Sequence, residues 1–371
     1  MSIFVAQFSE SWKNLPFSLI GIMLILASFG FIMLMSADGG NIHRWALPQM
    51  IRFALGIILL LGICITKLQA WMKYAYILYG LTILMLIAVE VMGHIGMGAQ
   101  RWIDLGIIKL QPSELAKIAV ILTLARHFHH TPPIKYSKPQ HLIIPALIIL
   151  LPVALILKQP NLGTATLLCG IAAWLMFASG IHRKYFIIAL MLICASLPVV
   201  WHFMHDYQKQ RVMTFLDPGS DPLGSGYNIT QSIIAIGSGG ITGKGLMKGS
   251  QTQLDFLPEK QTDFIFTVLS EEFGFIGGAT LIFLYMFMIL RIISIAHQSK
   301  SLFGTLVAHG VAALLTLHMF INIGMVMGLL PVVGIPLPLL SYGGSIMIST
   351  MIALGLVCNV YIHKDMKLST F

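Results

Sequence analysis

Long runs of apolar residues dominate the chain and alternate with short polar stretches. A helix needs roughly 20 mostly apolar residues to cross a bilayer, because the hydrocarbon core is about 30 Å thick and the helix rises about 1.5 Å per residue. Ten runs qualify or nearly qualify: 16–35, 48–66, 74–92, 112–128, 142–157, 162–180, 185–203, 264–290, 304–327 and 339–362. The pattern predicts an all-α integral membrane protein with about ten transmembrane helices.

One connection is much longer than the others and joins the seventh and eighth predicted spans. It covers residues 202–262 and carries apolar residues at intervals, which an unstructured segment would lack. We expect it to fold back over the outer face, with a short amphipathic or re-entrant helix at residues 227–236. The whole chain, residues 1–371, is interpreted as a single polytopic membrane domain that includes this large extracytoplasmic loop.

Composition supports the membrane class. Hydrophobic residues make up 57% of the chain and charged residues 10%, whereas about a quarter of an ordinary soluble domain is charged. The first apolar run lacks a small-residue cleavage site, so we interpret it as a retained span and not as a signal peptide. The four cysteines fall in four different spans without the spacing of a disulfide framework or a zinc site, which favours packing roles.

The distribution of lysine and arginine predicts the orientation. An even number of spans places both termini on one side, and short loops on the cytoplasmic side carry the excess of positive charge. With the N-terminus inside, twelve basic residues fall on the inner face: Lys13, Lys67, Lys73, Arg126, Lys135, Lys138, Arg183, Lys184, Arg291, Lys300, Lys364 and Lys367. The short outer loops carry only Arg44, Arg101 and Lys109.

The net charge of +9 is accounted for by inner-face residues that meet anionic lipids. Membrane lipids are therefore expected partners, and nucleic acid is not. Most acidic residues lie in outer segments, which indicates that the function faces outward.

Residues 237–245 read GSGGITGKG, a glycine-rich stretch inside the large loop. The phosphate-loop pattern would need glycine at Ser238 and a hydroxyl residue at Gly245, so nucleotide binding is not expected. Lys244 and Lys248 beside it are candidate partners for a lipid diphosphate, or they meet lipid headgroups, and both alternatives stay open.

Asp263 stands where the polar loop gives way to the eighth span. A carboxylate at an apolar boundary is partly desolvated, which makes it a stronger base for a sugar hydroxyl. Asp263 could equally cap the following helix and complement its dipole. Position alone favours the cap.

Glu114 and Lys117 open the fourth span and are neighbours on one helical face. Two alternatives stay open for them: an ion pair that neutralises itself within the bundle, or a role in an outer polar cavity. Four more charged residues near span ends pose the same question and could line one outward-opening cavity with them: Arg52, Glu90, Glu271 and Glu272.

Two further stretches have unusual composition. Residues 328–345, GLLPVVGIPLPLLSYGGS, are too rich in proline and glycine for a continuous helix, yet too apolar for a solvated loop. Such backbone at membrane depth must be buried in protein or line a cavity. His127, His129 and His130 fall on the inner side and are interpreted as a basic helix end, so no metal site is predicted.

Six motifs, in this order, resemble the SEDS family of bacterial membrane proteins (shape, elongation, division and sporulation), in its elongation or RodA-type branch. They are GAQRWIDLG at 98–106, QPSELAKIAV at 111–120, QPNLGTA at 159–165, HDYQKQRVMTFLDPGSDPLGSGYNITQS at 205–232, LPEKQTDFIF at 257–266, and the proline- and glycine-rich stretch at 328–345. The resemblance covers nearly the whole chain.

The resemblance implies a peptidoglycan glycosyltransferase of the bacterial inner membrane that polymerises lipid II during lateral wall elongation. Asp263 matches the family's essential extracellular aspartate, and we assign it as general base in an inverting displacement of undecaprenyl diphosphate. The candidate substrate-binding residues are Arg52, Arg101, Glu114, Lys117, Arg211, Lys244 and Lys260.

The implied partner is a class B penicillin-binding protein, a transpeptidase anchored by one helix. The resemblance fixes no cofactor and leaves a divalent cation open. Two other functions remain as alternatives: a flippase or transporter of lipid-linked precursor, and a scaffold without catalytic activity.

Overall fold

The structure, a computed structural model, describes residues 15–92, 94–96, 99–104, 109–131, 138–204, 206–221 and 224–369. Its helices are α1 (Phe17–Ala37), α2 (Ala46–Ile65), α3 (Leu68–Met92), α4 (Pro112–His130), α5 (Ile143–Lys158), α6 (Leu162–Ala178), α7 (Arg183–Phe203), α8 (Asp206–Leu216), α9 (Ser225–Ser238), α10 (Ser250–Gln253), α11 (Ile265–Gln298), α12 (Leu302–Val326) and α13 (Gly344–Ile362). Short 3-10 helices cover Pro139–Leu142 and Pro218–Ser220. Lys13 and Lys135, two residues that the orientation argument places inside, lie outside the described residues.

Each of the ten apolar runs falls on a helix. Seven helices in the described ranges are long and apolar enough to cross a membrane, namely α1, α2, α3, α5 with its preceding 3-10 turn, α11, α12 and α13. The seven spans make this an integral membrane protein. Of the other three runs, α6 has only 17 residues and α4 carries three charged residues, Glu114, Lys117 and Arg126. The count of ten crossings therefore stays a prediction for α4, α6 and α7.

The fold is mostly helical, but the all-α prediction is wrong between α3 and α4. Three short strands lie there: β1 (His94–Gly96), β2 (Ala99–Asp104) and β3 (Lys109–Leu110), paired antiparallel in the order β1-β2-β3. Ile95 pairs with Gln100, and Ile103 pairs with Leu110. Strands of two to six residues are too short for an alternating pattern to distinguish them from a loop.

Helices α12 and α13 form the centre of the bundle. In their most apolar stretches, 67% of α12 and 78% of α13 is buried, against 22% of α3. Small residues allow this close packing. A Cβ at Gly310 would lie 2.5 Å from Ile121 Cγ2, and one at Gly355 would lie 3.2 Å from Leu60 Cα. The centre therefore depends on backbone approach as well as on apolar side chains.

The long loop is folded. It contains α8, the second 3-10 helix, α9 and α10, and α9 confirms the helix predicted at residues 227–236. Ser232 on α9 is fully buried, and its Oγ donates to Val326 O at 2.7 Å and lies 2.7 Å from Thr267 Oγ1. Helix α9 is thus attached to the ends of α11 and α12.

Helix α11 is broken at Gly274, whose φ of 63° and ψ of −158° are not helical. A break of this kind leaves backbone groups without partners inside the helix. The glycine-rich stretch supplies four bonds: Lys244 N–H to Glu271 O (3.1 Å), Gly245 N–H to Glu272 O (2.9 Å), Phe275 N–H to Gly240 O (2.9 Å) and Ile276 N–H to Ile241 O (3.1 Å). The stretch therefore completes the broken helix.

This contact explains why the stretch is rich in glycine. A Cβ at Gly243 would overlap the backbone at Glu272 O, and one at Gly239 would overlap Ser270 O. Gly243 also has a φ of 82°, a conformation that other residues rarely adopt. Close backbone contact with α11, and not phosphate binding, thus accounts for these glycines.

We predict that Gly243→Ala destabilises the protein by at least about 2 kcal/mol, because the new Cβ meets both a steric overlap and an unfavourable φ. The matched control is Gly237→Ala, which lies inside α9 with no atom within 4 Å of its added Cβ. Alanine at that helical position should stabilise slightly, by up to about 1 kcal/mol. Thermal unfolding in detergent measures the stability of both variants. Equal melting temperatures for Gly243→Ala and Gly237→Ala would contradict the close contact between Gly243 and α11.

Candidate active site

The irregular segment, residues 327–343, joins α12 to α13 without forming a helix. Six of its residues, Ile335, Leu337, Pro338, Leu339, Leu340 and Ser341, are buried, which confirms the burial expected for such backbone. Its backbone polar groups bond to four side chains from three helices: Asn322 Nδ2 to Ile335 O (2.7 Å), His318 Nδ1 with Pro336 O (3.1 Å), Gln49 Nε2 to Ser341 O (2.9 Å), Gly343 N–H to Gln49 Oε1 (3.2 Å), and the Tyr285 hydroxyl to Pro338 O.

Asp263 lies in the turn before α11, and the irregular segment and α12 hold that turn. Three successive carbonyls each accept a hydrogen bond: Gln261 O from Tyr342 N–H (2.8 Å), Thr262 O from Ser341 Oγ (2.6 Å) and Asp263 O from Asn322 Nδ2 (2.9 Å). The main chain of Asp263 is therefore fixed relative to both neighbours.

The carboxylate of Asp263 faces the irregular segment. A Cβ added at Gly334 would lie 3.3 Å from Asp263 Oδ2, so glycine leaves room for the carboxylate there. The N-cap of α11 is Phe264, and no side chain caps this helix. The cap alternative for Asp263 is therefore wrong, and the carboxylate has no hydrogen-bond donor among the described residues.

Burial raises the pKa of Asp263 from its ordinary 3.8 to about 7. The nearby carboxylate of Glu259 adds to this increase, because two like charges disfavour ionisation, and the Arg211 guanidinium opposes it. The side chain can consequently exchange a proton near neutral pH. Among the predicted site residues, Arg211 is the cation whose charge acts directly on Asp263.

Glu114 and Lys117 form the ion pair that their spacing predicts. Lys117 Nζ lies 2.7 Å from Glu114 Oε1 and 2.9 Å from His318 Nε2, and Ser349 Oγ donates to Glu114 Oε2 at 3.0 Å. All four residues are buried. The cluster therefore joins α4, α12 and α13 inside the bundle.

Helix α12 connects this cluster to Asp263. His318 and Asn322 are four residues apart and so lie on one face, one turn from each other. His318 contacts Lys117 and Pro336 O, while Asn322 contacts Ile335 O and Asp263 O. The ion pair and Asp263 thus belong to one continuous polar network.

The predicted diphosphate-binding lysines of the loop already have carboxylate partners. Lys244 Nζ lies 2.8 Å from Glu271 Oε1 and 2.9 Å from Ser250 Oγ. Lys260 Nζ donates to Thr252 O at 2.8 Å and lies 2.5 Å from Asp255 Oδ1. Both lysines hold the loop together in this structure.

Arg52 and Arg101 have different environments. The guanidinium of Arg52 lies 4.6 Å from the centre of the Tyr342 ring, and its Nη2 donates to the Tyr342 hydroxyl at 3.2 Å. The Tyr342 N–H also donates to Gln261 O in the turn that carries Asp263, so Arg52 lies near the site. Arg101 on β2 donates to the carbonyls of Gln159 (3.0 Å) and Pro160, the link between α5 and α6.

The other span-end acids do not share one cavity. Glu271 is fully buried and accepts bonds from Lys244, the Gln251 N–H, and both the N–H and hydroxyl of Thr252. Glu272 is also buried and accepts from the Ser36 hydroxyl. Glu90 lines a separate cavity of about 380 Å³ with the following three residues: Lys158, Gln159 and Pro160. The shared cavity proposed from the sequence is therefore wrong.

Within the described ranges no group of three or more His, Cys, Asp or Glu side chains could hold a metal ion, so a divalent cation has no assigned ligands here.

Sequence reasoning missed Gln49, Tyr285, His318 and Asn322. Polar residues inside apolar spans were the available signal, and the four-residue spacing of His318 and Asn322 could have placed them on one face.

We predict that Asp263→Asn stabilises the fold at pH 8 and that this advantage disappears as the pH falls toward 4. The folded pKa near 7 exceeds the ordinary 3.8, so the wild type gains stability from proton binding as the pH drops through that window. Each pH unit in the window contributes at most about 1.4 kcal/mol. Thermal unfolding of both proteins in detergent between pH 5 and 8 tests this, and a pH-independent difference would contradict it.

A second prediction concerns the buried ion pair. Lys117→Met should destabilise the protein by roughly 3–5 kcal/mol, because it leaves the Glu114 carboxylate buried without a cation. The double variant Lys117→Met, Glu114→Gln should recover much of this loss, since no unpaired charge remains. Melting temperatures of the three proteins provide the measurement, and a double variant less stable than Lys117→Met would refute the pairing.

Comparison with known proteins places these features in a family. The family model described as cell cycle protein, of FtsW, RodA and SpoVE, matches residues 17–366. Peptidoglycan glycosyltransferase MrdB of Escherichia coli is 43% identical over 349 residues, which is 93% of each chain. Stage V sporulation protein E of Bacillus subtilis is 36% identical over 353 residues, covering 92% of this chain and 95% of its own.

Solved structures agree with the sequence comparison. A chain from a peptidoglycan synthase complex, in which polymerization and crosslinking are coordinated, superposes with a TM-score of 0.83 and 31% identity, covering 94% of this chain and 98% of that one. The rod shape determining protein RodA of Thermus thermophilus superposes with a TM-score of 0.73 and 27% identity, covering 95% and 98%. The protein therefore belongs to the cell cycle protein family of FtsW, RodA and SpoVE and is a glycosyltransferase within it.

Proposed function

We propose that the protein is a peptidoglycan glycosyltransferase that polymerises lipid II, with Asp263 as its general base. The relatives named MrdB and RodA are peptidoglycan glycosyltransferases. The observation that carries the proposal is the Asp263 carboxylate, which has a pKa of about 7 and a main chain held by fixed hydrogen bonds. A general base works best when its pKa is close to the operating pH.

The proposed reaction is a single displacement with inversion. The donor sugar is α-linked to undecaprenyl diphosphate, and the acceptor is the 4-hydroxyl of the next lipid-linked sugar. Asp263 accepts the hydroxyl proton as the oxygen attacks the anomeric carbon, the bond to the diphosphate breaks, and a β-1,4 linkage forms. The proton ends on Asp263, and the bonding electron pair leaves with the diphosphate.

Negative charge that grows on the departing diphosphate needs cations near Asp263. We assign this role to Arg211, whose charge acts on Asp263, and to Arg52 beside Tyr342. Among the described residues, neither forms an ion pair with a carboxylate. The other candidates serve the fold: Lys117, Lys244 and Lys260 pair with Glu114, Glu271 and Asp255, and Arg101 holds the link between α5 and α6.

Orientation and partner follow from the same proposal. Both termini lie in the cytoplasm, and Asp263 works on the outer face of the bacterial inner membrane, which agrees with the basic inner loops. We propose a class B penicillin-binding protein as the transpeptidase partner. Support comes from the structural similarity to a synthase complex that coordinates polymerization with crosslinking.

We predict that Asp263→Asn lowers glycan-strand formation by at least about 100-fold, because an amide cannot accept the hydroxyl proton. The measurement is polymer formed from lipid II in detergent by the purified protein with its transpeptidase partner. Asparagine matches aspartate in size, so retained partner binding and cooperative unfolding would show that the loss is chemical.

Glu259→Gln is the matched control, since it removes the neighbouring charge but retains a side-chain acceptor for Thr262 Oγ1. The Glu259→Gln variant should keep polymerising. The acid limb of its pH–rate profile should move to lower pH, because Glu259 raises the pKa of Asp263. Equal polymer from wild type and Asp263→Asn would contradict the assignment of the base. Polymer from neither, with lipid II still crossing vesicle membranes, would favour a flippase.

A further inference from the structure

His318 is a buried histidine that lies between two parts of the site. It is 1% exposed, and its two ring nitrogens contact different groups. Nε2 lies 2.9 Å from Lys117 Nζ, and Nδ1 lies 3.1 Å from Pro336 O. The imidazole therefore links the Glu114–Lys117 ion pair to the irregular segment.

These partners determine where the imidazole proton lies. An ammonium group has only donors, so Nε2 accepts from Lys117, whose Nζ also pairs with Glu114. A neutral imidazole with an accepting Nε2 carries its proton on Nδ1, and Nδ1–H then donates to Pro336 O. The ion pair thus fixes the tautomer that can hold the irregular segment.

The bond to Pro336 acts close to Asp263. Pro336 is two residues beyond Gly334. A Cβ added at Gly334 would lie 3.3 Å from Asp263 Oδ2, so this part of the segment is next to the carboxylate. Asn322, one turn further along α12, holds the adjacent carbonyl of Ile335 as well as Asp263 O. One face of α12 therefore sets the separation between the irregular segment and the turn that carries Asp263.

We propose that His318 is a positioning residue, fixed as the Nδ1–H tautomer by the Glu114–Lys117 pair, that holds Pro336 and so keeps the irregular segment against Asp263. The inference rests on the proposed function and adds a residue outside the reacting groups. Three consequences follow: the segment restricts water at the Asp263 carboxylate, the environment of the base depends on the Pro336 bond, and loss of that bond hydrates the base.

Two substitutions separate the two bonds of His318. His318→Asn places an amide near the Nδ1 position, so it keeps a donor for Pro336 O and loses the contact with Lys117. His318→Gln places an amide near the Nε2 position, so it keeps an acceptor for Lys117 and loses the bond to Pro336. His309→Gln, on the same helix nine residues earlier and beside His297, is the matched control.

The experiment measures polymer formation from lipid II against pH for wild type, Asp263→Asn and these three variants. His318→Gln should lose turnover by roughly 10- to 100-fold, since small displacements of a reacting group have effects of this size. Its acid limb should move down by about one pH unit, because a hydrated carboxylate returns toward its ordinary pKa. His318→Asn and His309→Gln should keep the acid limb of the wild type. The ionisable groups that act on Asp263 are Glu259 in its own turn and Arg211 on α8, and all three variants leave them unchanged.

The inference is overturned if the Asn and Gln variants of His318 share the same turnover and the same acid limb. Polymer from wild type that is lost in Asp263→Asn would still support the proposed function, so the two failures are distinguishable. A measurement on the wild type removes any dependence on variant folding. Nitrogen-15 NMR of labelled histidine, with His318 assigned by comparison with His318→Asn, should give the Nδ1–H tautomer between pH 6 and 8, and an Nε2–H tautomer would overturn the inference.

Discussion

Backbone polar groups at membrane depth must find hydrogen-bond partners inside the protein, and the irregular segment carries many that no helix can satisfy. Four side chains from three helices bond to its carbonyl and amide groups: Gln49, Tyr285, His318 and Asn322. This requirement is consistent with the deep burial of α12 and α13, the two helices that flank the segment. It also explains why residues from distant parts of the chain converge at one place.

The same constraint organises the outer loop. The break in α11 at Gly274 leaves backbone groups that the glycine-rich stretch satisfies, and Glu271 accepts several further bonds from the residues that follow that stretch. The loop is consequently attached to the bundle by backbone hydrogen bonds and not by apolar contact alone. That attachment fixes the part of the chain leading to Glu259 and Asp263.

The carboxylates of this protein differ because their surroundings differ. Glu114 and Glu271 are buried with a lysine and with hydroxyl or amide donors, so their charge is compensated locally. Asp263 is partly buried and has no donor to its carboxylate among the described residues; desolvation, with a smaller contribution from the Glu259 carboxylate, raises its pKa to about 7. A carboxylate with this environment is available for proton transfer, whereas the other two stabilise the fold.

Sequence patterns alone predicted the membrane class, most of the helix positions, the helix inside the long loop and the spacing of Glu114 and Lys117, and the family motifs singled out Asp263 for its proposed role. These follow from apolar periodicity, from residues adjacent along the chain, and from motifs, all of which are local properties. The folded structure was needed to show that the loop lysines are paired, that Asp263 does not cap α11, and that His318 and Asn322 join the ion pair to Asp263. Those results depend on contacts between residues far apart in the chain, such as His318 with Lys117 and Tyr342 with Gln261, and local sequence patterns carry no information about which distant groups will meet.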